Sequence, residues 1–196
     1  MMAVAATGFI GAFSTSTLLV ALAEIGDKTQ LLSFVLAARL RQPAAIIAGI
    51  FVATVANHAL AGALGVWLSG LLSPHWLPWL VGGVFLLFGL WTLHPDALDE
   101  MPLLHPAGAF VTSLMAFFLA EMGDKTQVAT MALAARFESL TAVVLGTTLG
   151  LMLANVPAVL LGERLAQRLP LTAIRRVAAL LFIATGVLTL WDAPLP

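Results

Sequence analysis

Glu24-Ile25-Gly26-Asp27-Lys28-Thr29-Gln30 sets two carboxylates and an ammonium inside a long apolar run. The same pattern returns 97 positions later as Glu121-Met122-Gly123-Asp124-Lys125-Thr126-Gln127. Around it the chain is oily. Of 196 residues, 61% are hydrophobic and 10% charged, with a mean hydropathy of +1.03. Soluble domains carry about 25% charged residues, so this chain lacks the polar surface to face water on every side. The composition predicts an all-α polytopic membrane protein whose first partner is the lipid bilayer.

The net charge of −1 says nothing about nucleic acid, and with no basic run to suggest it the expectation is no nucleic-acid partner. The absence of cysteine excludes disulfides, zinc–thiolate sites and thiol chemistry. Tyrosine is absent too, so Trp67, Trp76, Trp79, Trp91 and Trp191 must supply any aromatic belt. No Lys or Arg precedes Lys28, which argues against a cleaved signal peptide and for a retained first span.

Six apolar segments can be drawn outward from the two motifs, each able to cross a core that needs about 20 residues of helix. They run from Phe9 to Ala38, Ala44 to Leu72, Leu77 to Leu93, Ala107 to Ala135, Leu140 to Leu161 and Thr172 to Trp191. The first is long enough to be tilted, broken or late in starting. Arg39, Arg41 and Pro43 end it; Ser73-Pro74 ends the second; Arg136 and Glu138 end the fourth. A polar linker, His94 to Pro106, separates the third from the fourth.

A 97-residue shift superposes more than the motif, and it needs no gap. Thr15-Ser16 falls on Thr112-Ser113, Leu36-Ala37-Ala38-Arg39 on Leu133-Ala134-Ala135-Arg136, and Gly49, Gly65 and Gly89 on Gly146, Gly162 and Gly186. The domain reading is therefore a first three-helix repeat over 1–93, a cytoplasmic linker over 94–106 and a second repeat over 107–196. Three is odd, so the second repeat enters the membrane from the opposite side, a common plan for secondary transporters. Loops on one side carry Arg39, Arg41, Arg164 and Arg168, with Arg175 and Arg176 at the foot of the last span, against Arg136 alone on the other. The positive-inside rule places the Arg-rich side in the cytoplasm and both termini outside.

Asp27 precedes Arg39 by 12 residues, which at 1.5 Å per residue is about 18 Å from that end of the span. Both motifs can therefore meet near the midplane. Intramembrane carboxylates cost several kcal/mol unless they face a cavity or a partner. Glu24, Asp27, Glu121 and Asp124 are the predicted cation ligands. With Lys28 and Lys125 they sum to −2, the complement of one divalent cation, and oxygen donors suit calcium, magnesium or manganese. Thr29, Gln30, Thr126 and Gln127 can add neutral oxygens. Asn57 and Asn155, near-equivalent under the repeat, are supporting groups or plain interhelical hydrogen bonders. His58 is a ligand or a packing residue, and Met115, Met122 and Met131 are read as filler. Gly26 and Gly123 allow close helix approach or a local break. The bland alternative keeps Glu24–Lys28 and Glu121–Lys125 as i,i+4 pairs that brace helices. In a mixed version those pairs form and the aspartates face the ion. Clustered carboxylates that lose a cation repel one another, so protons replace it, and proton/cation exchange follows.

The paired Glu-x-Gly-Asp-Lys-Thr motifs, one per half, resemble the Gdt-type cation/proton exchangers, which include Golgi manganese/calcium transporters and bacterial manganese exporters. The resemblance covers nearly the whole chain, and both copies match Glu-x-Gly-Asp-(Lys/Arg)-(Thr/Ser) without departure. It implies six helices in two inverted halves, a cation site at Glu24, Asp27, Glu121 and Asp124, and export of Mn²⁺ or Ca²⁺ against protons by alternating access. It implies no prosthetic group and a place in a bacterial inner membrane, with a homo-oligomer compatible. The copies differ after the motif, Leu31-Leu32-Ser33 against Val128-Ala129-Thr130, where ion choice could lie. Rival readings are an exporter of amino acids or small organic cations, a cation channel, and a membrane scaffold. An intramembrane enzyme lacks support, since no His-Glu-x-x-His or Gly-x-Ser-x-Gly is present.

Overall fold

The computed structural model describes residues 2–94, 105–162 and 170–193, with side chains from Gly8 onward. Among the described residues there are eight helices and no strand. They are α1 Met2–Glu24, α2 Lys28–Leu40, α3 Pro43–Leu71, α4 Leu77–Thr92, α5 Ala109–Glu121, α6 Lys125–Phe137, α7 Leu140–Leu161 and α8 Leu171–Trp191. Most of the His94–Pro106 linker, along with Glu163, Arg164 and Arg168, lies outside the described residues.

The second, third, fifth and sixth apolar segments each become one helix, with ends within a residue of those expected. Pro43 opens α3 at its first turn, where a missing N–H costs nothing. The first and fourth segments differ: each is two helices. The first breaks after Glu24 and resumes at Lys28 with a 67° bend, so of the three readings offered for its length the broken one holds. The fourth breaks after Glu121 and resumes at Lys125.

The 97-residue shift carries helix ends onto helix ends. Glu24 maps to Glu121, Lys28–Leu40 to Lys125–Phe137, and Pro43 to Leu140. Arg41 and Glu138, also equivalent, cap α2 and α6 in the left-handed region at φ 52° and 50°. Packing follows the same exchange. α1 lies along α7, with Gly146 against Phe13 and Ser16 and Gly150 against Thr17, Val20 and Ala21, so those helices run in the same direction. α3 lies along α5, with Gly49 against Phe110 and Ser113 and Asn57 reaching Phe118. α4 and α8 run antiparallel, with Gly82 on Gly186 and Leu190, and Gly89 on Ala179 and Ile183.

Polarity is turned inside out. Ser16, Glu24, Asp27, Thr29, Gln30, Asn57, Asp124, Thr126 and Asn155 are buried. Leu87 is 69% exposed, Leu180 64% and Leu119 63%. An outer surface of leucine over an interior that holds these polar groups among apolar ones suits lipid as the solvent. α3, α7 and α8 are each long and apolar enough to span, and α1 with α2 makes a fourth if the bent pair counts as one. α4, with 16 residues, and α5, with 13, fall short of that length on their own.

Candidate cation site at the paired helix breaks

Each break is built by three residues. Gly26 takes φ +84° and Gly123 φ +75°, backbone that a side chain disfavours and that commonly follows a helix C-terminus. Asp27 and Asp124 then adopt extended backbone as the N-caps of α2 and α6. Neither aspartate side chain makes the usual cap hydrogen bond. The glutamines stabilise the turns instead. The Gly26 N–H donates to Gln30 Oε1 at 2.9 Å, and the Gly123 N–H to Gln127 Oε1 at 2.8 Å. Each of these two oxygens, expected as neutral ligands, accepts one backbone N–H of its own break.

With their caps unused, the aspartates turn to the opposite motif. Lys28 Nζ lies 3.0 Å from Asp124 Oδ1, and Lys125 Nζ contacts Asp27 Oδ1. This corrects the i,i+4 expectation: the lysines pair with the aspartates of the other repeat, not with their own glutamates. The reason lies in the breaks. Glu24 ends one helix and Lys28 begins the next at a sharp angle, so the two are no longer neighbours on one helical face. Each lysine also opens a helix, where the macrodipole repels a cation, and a carboxylate partner offsets that.

The glutamates are treated unequally. Thr29 donates to Glu24 Oε2 at 2.6 Å, and Thr126, from the other repeat, donates to Glu24 Oε1. Both threonine hydroxyls thus give their hydrogens to one carboxylate, and their oxygens keep their lone pairs. Neither oxygen of Glu121, equally buried, has a hydrogen-bond partner among the described residues. Glu121 lies within electrostatic reach of Glu24, Asp124 and Asp27. The structure therefore brings all four predicted acids and both lysines into one region, buried except at the partly exposed Lys28. Among the described residues, however, no three His, Asp or Glu side chains converge tightly enough to form a metal site.

The supporting residues fall one layer out. The Asn57 side-chain amide donates to Phe118 O at 3.0 Å. Asn155 accepts from Ser33 at 2.7 Å and donates to Leu151 O at 3.1 Å. Gln30 donates to Ala154 O at 3.1 Å, tying α2 to α7 just before Pro157. His58 is buried, with no partner on either ring nitrogen among the described residues. Met115 and Met122 point outward. Ser33, one of the positions where the two copies differ after the motif, is thereby tied to the supporting Asn155.

The family model for the divalent cation/proton antiporter GDT1 matches residues 12–100 and 109–195, one segment for each repeat. A protein of Vibrio cholerae named "Putative manganese exporter" is 53% identical over 171 residues, covering 87% of this chain and 86% of the relative. A GDT1-like protein of Synechocystis is 29% identical over 203 residues, covering 92% and 97%. GDT1-like protein 5 of Arabidopsis thaliana is 28% identical over 217 residues, covering 91% and 94%. No solved structure matches the chain. Two matched segments, each built around one charged helix break, leave a single assignment: the chain belongs to the GDT1 family of divalent cation/proton antiporters.

Proposed function

We propose that this protein exports a divalent cation, Mn²⁺ foremost, from the cytoplasm of a bacterium in exchange for protons, by alternating access between two inverted three-span halves in the inner membrane. The observation that carries this reading is the buried meeting of two broken helices, each bringing acids to one place and each neutralised by the other's lysine. Secondary transporters place ion sites at such discontinuous helices near the midplane. The parallel packing of α1 with α7 and of α3 with α5, and the antiparallel packing of α4 with α8, support the six-span inverted plan. The name carried by the Vibrio relative supports manganese.

The chemistry rests on charge. Four carboxylates and two ammoniums leave −2, which one divalent cation or two protons can balance. Carboxylate oxygens suit Mn²⁺ as well as Ca²⁺. Protons arriving from outside neutralise the acids and release the cation there, and loss of those protons to the cytoplasm restores the acids for the next ion. The helix break at each motif provides a joint on which the halves can rock. The Arg-rich loops support a cytoplasmic side for the linker and the foot of α8.

The test is reconstitution in sealed liposomes holding a pH dye, with Mn²⁺, Ca²⁺, Mg²⁺ or Na⁺ offered in turn. Mn²⁺ uptake should move protons the other way, and Asp27→Asn or Asp124→Asn should lower the rate by roughly 100-fold or more. Metal flux with no opposing proton flux would defeat the exchange reading. Full activity in both variants would leave the aspartates a structural role only, and no flux in the wild type would leave the protein a scaffold.

A further inference from the structure

We propose that Lys28 and Lys125 are built-in competitors of the transported cation: each ammonium holds the aspartate of the opposite half, and a divalent ion takes that aspartate only by displacing it. The proposal rests on the exchange reading above and assigns these lysines a positioning role within it.

The acids are divided by what holds them. Glu24 is held by hydroxyls from both halves, whereas Asp27 and Asp124 are held by ammoniums. Both ion pairs cross from one motif to the other, so neither simply braces its own helix. The side chains of Asp27, Asp124 and Lys125 are 0%, 5% and 4% exposed, so water screens these charges little. An ammonium and a divalent cation on one carboxylate would repel at a few ångströms, and in a dry site that repulsion is strong. The two cations are therefore alternatives. Lys28 has a way out: its side chain is 27% exposed, and its flexible stem can swing the ammonium aside. Lys125 is enclosed, so Lys28 moves first.

The consequence is kinetic as well as energetic. A site of four acids alone would bind a divalent ion tightly and release it slowly. Ammoniums that return to the aspartates weaken binding and complete release, which an exporter needs as much as capture.

The experiment uses the purified full-length chain. A membrane-permeant carbodiimide joins a lysine to a carboxylate only when the two are in contact, so the amide between residues 28 and 124 reports their pairing by peptide mass spectrometry. Saturating Mn²⁺ should reduce that cross-link by roughly fivefold or more, while Na⁺ at equal ionic strength should not. Lys28→Gln should bind Mn²⁺ roughly tenfold more tightly, measured from the free Mn²⁺ paramagnetic resonance signal, and should exchange more slowly at saturation. Lys28→Arg should restore both. Wild-type protein that binds Mn²⁺ with an unchanged cross-link overturns the competitor role alone, because an immobile lysine would still repel the ion without leaving its partner. Wild-type protein that binds no divalent cation overturns the exchange reading along with it. If Lys28→Gln fails to fold, the wild-type cross-link still decides.

Discussion

Gly26 and Gly123 share a left-handed backbone but not a setting. A Cβ at Gly26 would come 3.2 Å from the Leu171 side chain, whereas one at Gly123 meets nothing within 4 Å. Alanine at either site pays for the left-handed conformation, about 1–2 kcal/mol, and at Gly26 it must also move Leu171. Thermal unfolding in detergent should therefore rank Gly26→Ala below Gly123→Ala, with both below wild type. The lysines divide in the same manner. Removing one member of a buried pair leaves the other charge without its partner, at about 3–5 kcal/mol. Lys125→Met should approach that loss, and Lys28→Met should lose less because its side chain is only partly buried. Thr126→Ala takes a hydroxyl donor from Glu24 and should cost about 1–3 kcal/mol, even though the two residues belong to different repeats.

At the scale of helices, glycine marks where backbones touch. A Cβ at Gly146 would fall 2.5 Å from Phe13 O and one at Gly150 2.7 Å from Thr17 O, against backbone that cannot step aside. Gly146 and Gly150, four residues apart on α7, form the seam on which α1 packs. Gly146→Ala should destabilise by about 1–3 kcal/mol. Gly83, inside α4 with nothing within 4 Å, should instead gain about 0.5–1 kcal/mol as alanine, through helix propensity. A denaturation series across these variants checks both signs.

The ends of the helices were legible because Arg, Pro and Ser-Pro interrupt the apolar runs visibly. The two breaks were legible only as a suggestion: hydropathy runs on through Ile25 and Met122, and a backbone reversal leaves no trace in it. The sharper signal was Gly-Asp followed by Gln three positions after the Asp, a helix stop joined to a helix start. The four acids and two lysines were legible as a group, because charge in an oily run is costly anywhere. Their pairing was not. An i,i+4 contact can be counted along one chain segment, while Lys28 to Asp124 exists only once two distant helix ends are brought together.

For the whole molecule, charge balance and orientation make separate predictions. If one Mn²⁺ exchanges for two protons, each cycle moves no net charge, and clamping the membrane potential with potassium and valinomycin should leave the rate unchanged. An acidic exterior should speed export, and a protonophore that collapses the proton gradient should remove that gain. Orientation can be mapped cleanly because the chain has no native cysteine. Ser73→Cys and Ser139→Cys should react with an impermeant maleimide from outside intact cells. Gln42→Cys and His105→Cys should react only after the cells are opened.

The crossed pairs also make each repeat a debtor to its twin. A single repeat made alone keeps an aspartate and a lysine whose partners are on the missing piece, so it should be retained poorly and degraded. Two pieces made as separate chains, divided within 95–104, carry between them every counter-charge that the breaks require. Co-expression should therefore recover manganese tolerance that neither piece supports by itself. The peptide link between the repeats would then matter for matching their supply and not for holding them together.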